Sequence, residues 1–220
     1  MEIPMKKDTR LILAIDETDA EKAVSIANSV SGSIDAIKIN WPLVLSAGPE
    51  MITRLSKISD VICDFKVADI PNTVRLIVEN SVSRGACAVI VHAFPGSDSM
   101  RMAVDTAASM GASIYAVTEM SHPGGQEFTA PNAEALARVG VECGAKGFIA
   151  PATRPDRIAA VRKVIGDREI LSPGVGAQGG SAAAAIRAGA DYVIAGRAIY
   201  GSDDPKAAAE AISRDALSGL

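Results

Sequence analysis

Short apolar runs recur along the whole chain and alternate with segments of helical periodicity. The first residues of successive runs are 22 to 34 positions apart. Each run is four or five residues long, which is typical of strands buried in a parallel sheet. We therefore predict eight strands: Leu11–Ile15, Ala36–Ile39, Val61–Phe65, Ala88–His92, Ser113–Val117, Gly147–Ala150, Glu169–Ser172 and Tyr192–Ala195.

The segments between these runs predict helices, such as Ala20–Val30 and Ala133–Cys143. Four strands follow a Gly-Ala pair, which suits a helix that ends in a left-handed glycine: Gly85-Ala86, Gly111-Ala112, Gly144-Ala145 and Gly189-Ala190. Eight strand-helix units imply a parallel sheet, and eight strands close a barrel. An open doubly wound sheet is the alternative, but it usually has a glycine-rich turn after its first strand, and none occurs here.

The sequence thus predicts an α/β fold, a single-domain (β/α)8 TIM barrel spanning residues 1–220. The barrel proper is expected over about residues 10–200, and a C-terminal helix over about 204–218. No linker or change of composition divides the chain.

Two carboxylates and an ammonium group follow one buried strand, in the segment Asp64-Phe65-Lys66-Val67-Ala68-Asp69. Side chains two apart on a strand share a face, so Asp64 and Lys66 are expected to project together, opposite Phe65. Ionised groups cost several kcal/mol to bury unless they are paired. A structural ion pair that caps the strand is the alternative to a catalytic cluster.

The other strand ends favour the catalytic cluster over the structural ion pair. In a barrel of this kind, catalytic groups come from the carboxyl ends of several strands. Polar or charged residues stand at seven of the eight ends, and the sixth strand ends at Pro151: the seven are Asp16, Lys38, Asp64 with Lys66, His92, Thr118 with Glu119, Ser172, and Gly196 with Arg197. Their convergence on one rim predicts an active site there.

The loops after the last two strands are rich in glycine. Residues 173–180 include four glycines, and the next strand ends in Gly196 and Arg197. Loops at these two positions commonly bind phosphate in barrel enzymes, through backbone N–H groups. Arg197 adds a permanent charge that can contact phosphate oxygens in pairs. We expect a phosphate site whose loop closes as a lid.

Composition excludes several other classes of protein. The net charge is −4 and there is no basic block, which argues against a nucleic-acid surface. Three widely spaced cysteines form neither a disulfide framework nor a Cys-x-x-Cys metal motif, and suit a reducing cytoplasm. No run approaches the roughly 18 apolar residues of a membrane span. A cytoplasmic protein that does not bind membranes is expected.

Six ordered motifs resemble the orotidine 5′-phosphate decarboxylase family in its short, single-domain microbial form. The resemblance runs from about Arg10 to Tyr200. The motifs are Leu13-Ala14-Ile15-Asp16, Ile37-Lys38-Ile39, Asp64 to Thr73, Thr118-Glu119-Met120-Ser121-His122-Pro123-Gly124, Pro173-Gly174-Val175-Gly176-Ala177-Gln178 and Gly196-Arg197. One departure is Asn40-Trp41-Pro42, where many relatives have a glycine before the aromatic residue.

The resemblance implies decarboxylation of orotidine 5′-monophosphate to uridine 5′-monophosphate in pyrimidine biosynthesis, without a metal or an organic cofactor. It implies that Lys66 stabilises and protonates the carbanion at C6, and that Asp64, Lys38 and Asp69 position it. It further implies the following ligand contacts: Asp16 and Lys38 with the ribose, Ser121 with the pyrimidine, and Pro173, Gln178, Gly196 and Arg197 with the phosphate. A homodimer is implied, in which Asp69, Ile70 and Thr73 reach the neighbouring subunit's site.

Two other functions remain as alternatives. One is a Mg-dependent sugar-phosphate decarboxylase or aldolase of the same superfamily. Such enzymes place a metal-binding glutamate at the end of the second strand, where this chain has Lys38. The other is a nucleotide-binding barrel without activity. His92 is expected to be a hydrogen-bonded residue of the rim and not a base.

Overall fold

Eight parallel strands close into one barrel in a computed structural model that describes residues 5–220. Each strand pairs with its neighbours in chain order, and β8 closes the sheet on β1. This confirms the predicted (β/α)8 barrel. The strands are β1 Leu11–Ile15, β2 Ala36–Ile39, β3 Asp60–Val67, β4 Ala86–His92, β5 Ser113–Val117, β6 Gly147–Ile149, β7 Glu169–Pro173 and β8 Tyr192–Ala195.

Helices connect the strands and surround the barrel. They are α1 Ala20–Val30, α2 Trp41–Ala47, α3 Glu50–Leu55, α4 Pro71–Ser83, α5 Ser97–Ser109, α6 Gly125–Phe128, α7 Ala133–Cys143, α8 Pro155–Ile165, α9 Ala182–Arg187, α10 Arg197–Tyr200 and α11 Pro205–Leu217. The four glycines expected at helix ends have φ between +77° and +109°. This left-handed conformation lets the chain turn directly into the next strand. Within residues 5–220, no helix has the length and apolarity to cross a membrane.

The alternation of side chains along the strands creates two hydrophobic layers. Residues such as Ile12, Ile62 and Ile90 fill the interior of the barrel. Their neighbours, such as Leu13 and Cys63, pack outward against the helices. The interior layer ends below the strand ends, so the polar residues that follow stand above a packed floor.

Strand β3 bulges where its charged residues stand. Its register with β4 passes from Cys63 opposite Val89 to Val67 opposite Val91, so four steps on β3 match two on β4. Lys66 lies in this bulge with φ +44°, the left-handed region that side chains other than glycine rarely adopt. Such a conformation costs about 1–3 kcal/mol, and it persists where surrounding contacts enforce it.

Candidate active site

One cavity of about 310 Å³ opens at the carboxyl ends of the strands. Its volume is at the lower end of the range that is typical of small-molecule sites, about 300–1,000 Å³. Nine of the predicted site residues line it: Asp16, Lys38, Asp64, Lys66, Ser121, Pro173, Gln178, Gly196 and Arg197. They come from six different strand ends, which explains why only the closed barrel brings them together.

The centre of the cavity is an ion cluster on β2 and β3. Lys38 Nζ lies 2.7 Å from Asp64 Oδ2, and Lys66 Nζ lies 2.8 Å and 2.9 Å from the two Asp64 oxygens. Asp64 and Lys38 are buried, whereas the Lys66 side chain keeps 31% of its surface exposed. One carboxylate therefore orients two ammonium groups, of which Lys66 is the more exposed.

The ammonium groups determine the charge of Asp64. Burial by itself raises the pKa of this carboxyl group, but the charges and hydrogen bonds of Lys38 and Lys66 outweigh it and lower the pKa below its usual value. Asp64 is thus ionised at neutral pH. With two cations and one anion, the cluster has a donor set that repels a divalent cation, since hard cations need oxygen ligands. Residues 5–220 contain no group of three His, Cys, Asp or Glu side chains that could hold a metal ion.

Asp16 enters the cavity from the end of β1. Its Oδ1 atom is buried and has no hydrogen-bond partner among residues 5–220. Leaving such a polar atom unpaired costs about 1–3 kcal/mol. A hydroxyl group of a ligand would satisfy it.

The glycine-rich loop after β7 lies across the barrel from β3 and folds back on itself. Gly180 N donates to Gly174 O at 3.0 Å, and Gly176 N donates to Gly180 O at 3.1 Å. Gly174 and Gly176 have φ +107° and +73°, and a Cβ on Gly180 would lie 2.7 Å from Gly174 O. These positions require glycine. The tight loop holds Gln178 and, with the end of β8, Arg197 around one part of the cavity.

A second buried carboxylate supports the loop that carries Ser121. Glu119 is fully buried and accepts hydrogen bonds at 2.8 Å from Arg154 and Arg157. Arg154 also donates to the carbonyl oxygens of Met120 and Ser121. Sequence reasoning placed Glu119 at a strand end but missed both arginines, because their distance along the chain gave no pairing signal.

His92, at the end of β4, differs from its expected role. Its Nδ1 atom is buried without a hydrogen-bond partner within residues 5–220, so the prediction of a hydrogen-bonded rim residue is wrong for this atom. The ring lies against Phe94, with centroids 4.9 Å apart. Burial, together with the nearby Lys66 ammonium, lowers the pKa of His92 to about 4, and Asp64 opposes this shift. The imidazole is neutral at pH 7.

Three predicted residues lie outside the cavity. Asp69 and Ile70 are exposed, and Thr73 lines an apolar groove between α2, α3 and α4. The loop is nevertheless well anchored, because Ser99 Oγ donates to Asp69 O at 2.5 Å. Within this chain the three residues do not line the cavity, so their predicted roles stay predictions.

Comparison with known proteins gives one family. The family model described as "Orotidine 5′-phosphate decarboxylase / HUMPS family" matches residues 9–212. The chain is 56% identical over 209 residues to the orotidine 5′-phosphate decarboxylase of Methanococcoides burtonii, which covers 94% of this chain and 97% of that protein. It is 51% identical to the protein of the same name from Methanosarcina mazei, with 96% of each covered.

Solved structures agree with the sequence relatives. The crystal structure of orotidine 5′-monophosphate decarboxylase from Methanocaldococcus jannaschii, complexed with inhibitor BMP, matches with a TM-score of 0.89 and 39% identity. The match covers 96% of this chain and 98% of that one. The Pyrococcus horikoshii enzyme matches with a TM-score of 0.86 and 44% identity, over 94% and 99% of the two chains.

Proposed function

The chain belongs to the orotidine 5′-phosphate decarboxylase / HUMPS family, and we propose that the cavity at its barrel mouth carries out the family's reaction with Lys66 at its centre. The chain is a carboxy-lyase. It converts orotidine 5′-monophosphate into uridine 5′-monophosphate and CO2, a step of pyrimidine biosynthesis. The observation that carries the residue assignment is the partly exposed Lys66 ammonium, which Asp64 holds at 2.8 Å inside the cavity.

The chemistry needs a fixed positive charge beside one carbon. The bond between C6 and the carboxylate breaks, and its electron pair stays on C6 with no adjacent carbonyl to delocalise it. The Lys66 ammonium stabilises this pair electrostatically and then transfers a proton to C6, which completes the product. A charge that is already in position avoids the reorganisation that water would need.

The neighbours of Lys66 keep that charge in place. Asp64 contacts both Lys66 and Lys38, so the three side chains form a rigid row. Asp64 would also lie near the departing carboxylate, where repulsion between like charges raises the energy of the bound substrate. The same row speaks against the Mg-dependent alternative, since Lys38 places an ammonium where those enzymes place a metal-binding glutamate.

The remaining cavity residues divide among the parts of the nucleotide. Asp16 and Lys38 bind the ribose hydroxyls, and the unpartnered Asp16 Oδ1 supports this assignment. Ser121 contacts the pyrimidine. The phosphate lies against Pro173, Gln178, Gly196 and Arg197. Closure of the 173–180 loop over this remote group uses binding energy to exclude water around C6.

A homodimer would complete the site. Large apolar side chains are exposed in α2, in and just before α4, and just after β4: Trp41, Leu45, Ile70, Leu76 and Phe94, at 41% to 77% of their surface. An apolar patch of this kind is typical of a protein interface. A second copy that covers it would bring Asp69 and Thr73 to the neighbouring cavity, where Asp69 adds a second carboxylate to the row around Lys66.

Subunit mixing tests this arrangement. Lys66→Ala and Asp69→Asn, each expected to be inactive alone, are mixed under conditions that exchange subunits. Because one site of each hybrid has both native residues, about a quarter of the native activity is expected for random pairing in a two-fold dimer. Mixtures that remain inactive although hybrids form would contradict the shared site.

Lys66→Ala tests the reaction itself. The variant is expected to fold and to bind uridine 5′-monophosphate in calorimetry, whereas the loss of orotidine absorbance becomes undetectable. Lys57→Ala is the matched control, because Lys57 is an exposed lysine away from the cavity, and it should keep the native rate. Turnover by Lys66→Ala would refute the role of Lys66. A native protein that binds the nucleotide without turnover would point to the non-catalytic alternative.

A further inference from the structure

Trp41, the single tryptophan of the chain, connects two strand ends at the barrel mouth. It begins α2 directly after β2, and its indole Nε1 donates a hydrogen bond to the carbonyl oxygen of Phe65 on β3 at 3.1 Å. The indole also stacks on the Phe65 ring, with centroids 4.5 Å apart and an interplanar angle of 27°. Trp41 thus contacts both the backbone and the side chain of the residue that precedes Lys66.

The carbonyl that accepts this bond belongs to an unusual part of the sheet. Phe65 lies on β3 beyond Cys63, the last residue that pairs with β2. It also lies within the bulge opposite β4, so it is paired with neither neighbouring strand. Its carbonyl is part of the peptide group that joins Phe65 to Lys66. The orientation of this peptide determines where the Lys66 backbone starts, and Lys66 then takes its φ of +44°. A contact that fixes the peptide therefore helps to impose the rare conformation.

Trp41 itself is held firmly enough for this task. Asn40 Oδ1 accepts a hydrogen bond from Trp41 N at 2.7 Å, and Pro42 restricts the first turn of α2. The ring lies in the apolar groove between α2, α3 and α4, and Trp41 does not line the ligand cavity. Any influence on the reaction must therefore pass through Phe65 and Lys66.

We propose that Trp41 is a positioning residue: its indole N–H fixes the Phe65–Lys66 peptide so that the Lys66 ammonium contacts Asp64 and points into the cavity. This inference rests on the catalytic role proposed for Lys66. Without the N–H, the bulge can relax towards ordinary backbone angles, which moves the start of a long and flexible side chain. A misplacement of the ammonium weakens the transition state more than the bound nucleotide, because the electron pair at C6 exists only during the reaction.

The test uses an isosteric replacement, since a smaller side chain would also alter the apolar patch and the proposed dimer. Because Trp41 is the only tryptophan, growth on β-(3-benzothienyl)alanine changes this position alone and replaces the N–H by sulfur. The ring area and the stacking on Phe65 remain. We expect kcat to fall about tenfold, the effect of one lost hydrogen bond. KM and the Kd for uridine 5′-monophosphate should stay within twofold of the native values.

Two further proteins make the result specific. Protein grown on 5-fluorotryptophan keeps the N–H and should keep the native kcat. Trp41→Phe, which retains a stacking ring but has no donor, should repeat the tenfold loss with unchanged KM. All forms are compared as dimers by sedimentation, so that a loss of assembly is not mistaken for a loss of positioning.

A benzothienyl form with native kcat would overturn the proposal, as would a loss that appears equally in KM and in product binding. Lys66→Ala separates this failure from failure of the proposed function. If Lys66→Ala is inactive while the benzothienyl form is fully active, Lys66 keeps its role and Trp41 has none. If Lys66→Ala retains turnover, the catalytic assignment fails, and the inference about Trp41 fails with it.

Discussion

The two ends of the barrel both bury charged side chains, but they use them in opposite ways. Next to the amino ends of β2 and β8, Asp35 and Asp191 accept hydrogen bonds from backbone N–H groups. At the carboxyl ends, Asp64 holds two lysine side chains, and Asp16 keeps one buried oxygen without any partner within residues 5–220. The first pattern is that of structural groups, and the second is that of groups that wait for a ligand.

The amino end shows how fully a buried carboxylate can be used. Asp35, only 1% exposed, accepts hydrogen bonds from the backbone N–H groups of Asp8, Thr9 and Arg10 at 2.8–3.2 Å. Asp191 accepts one from Ile170 N and pairs with Arg162. These bonds hold the segment that leads into β1 across the bottom of the barrel. Asp35 and Asp191 stabilise the fold because both have partners.

If the two ends differ in this way, charge at the carboxyl end should affect the reaction, and charge at the amino end should affect stability. The largest effect is expected for Asp16→Asn, which keeps the shape of the side chain and removes its charge. We expect kcat/KM to fall about 100-fold, or ~3 kcal/mol, as for a lost hydrogen bond to a charged group. The free energy of unfolding, measured in urea, should not decrease, because no protein contact to the buried oxygen is lost.

Asp35→Asn is the counterpart at the other end. The amide has one acceptor oxygen where the carboxylate has two, so some backbone N–H groups lose their partner. The free energy of unfolding should fall by about 2 kcal/mol, within the cost of an unpaired buried group. Steady-state kinetics at 25 °C should give native kcat/KM. A large kinetic defect with unchanged stability would contradict the division between the two ends.

The sequence predicted which side chains face the cavity better than it predicted the long-range contacts around them. Alternation along the strands placed Asp16, Lys38 and Asp64 on the inner face, because a period of two needs only local information. Four strands, β1, β2, β5 and β8, have the predicted bounds. The bulge at Lys66, the Trp41–Phe65 contact and the pairing of Glu119 with Arg154 depend on residues that meet only in the closed barrel. No local sequence pattern predicts such contacts.

Tyr115→Phe is expected to have a smaller effect at the amino end. Tyr115 OH donates to Glu169 Oε2, and burial together with the Glu169 charge raises the pKa of Tyr115 well above its usual value. Glu169 is already partly exposed and close to Lys146, so removal of the hydroxyl does not leave it buried and unpaired. The loss in the free energy of unfolding should be about 1.5 kcal/mol, the lower end for a bond to a charged group. Since neither residue lines the cavity, kcat should be native, and a changed kcat would contradict the division between the two ends.

The smallest effect is expected at His92, whose buried Nδ1 atom at the carboxyl end has no hydrogen-bond partner within residues 5–220. Burial and the Lys66 charge lower its pKa from 6.5 to about 4 in the folded protein. The unfolded chain therefore binds a proton more readily below pH 6.5, so the native protein loses stability as the pH falls from 6.5 towards 4.

His92→Gln removes this titration while Asp64, Lys66 and the other groups that face the site remain. Between pH 7 and pH 5.5, the native protein should lose about 1 kcal/mol more of its free energy of unfolding than the variant does, as linkage requires for one such group. Urea unfolding at both pH values measures the difference, and shared titrations cancel in it. Equal losses would show that His92 already has its ordinary pKa. The carboxyl end would then hold less electrostatic strain than the unpartnered Nδ1 indicates, and the contrast between the two ends would rest on Asp16 and Lys66.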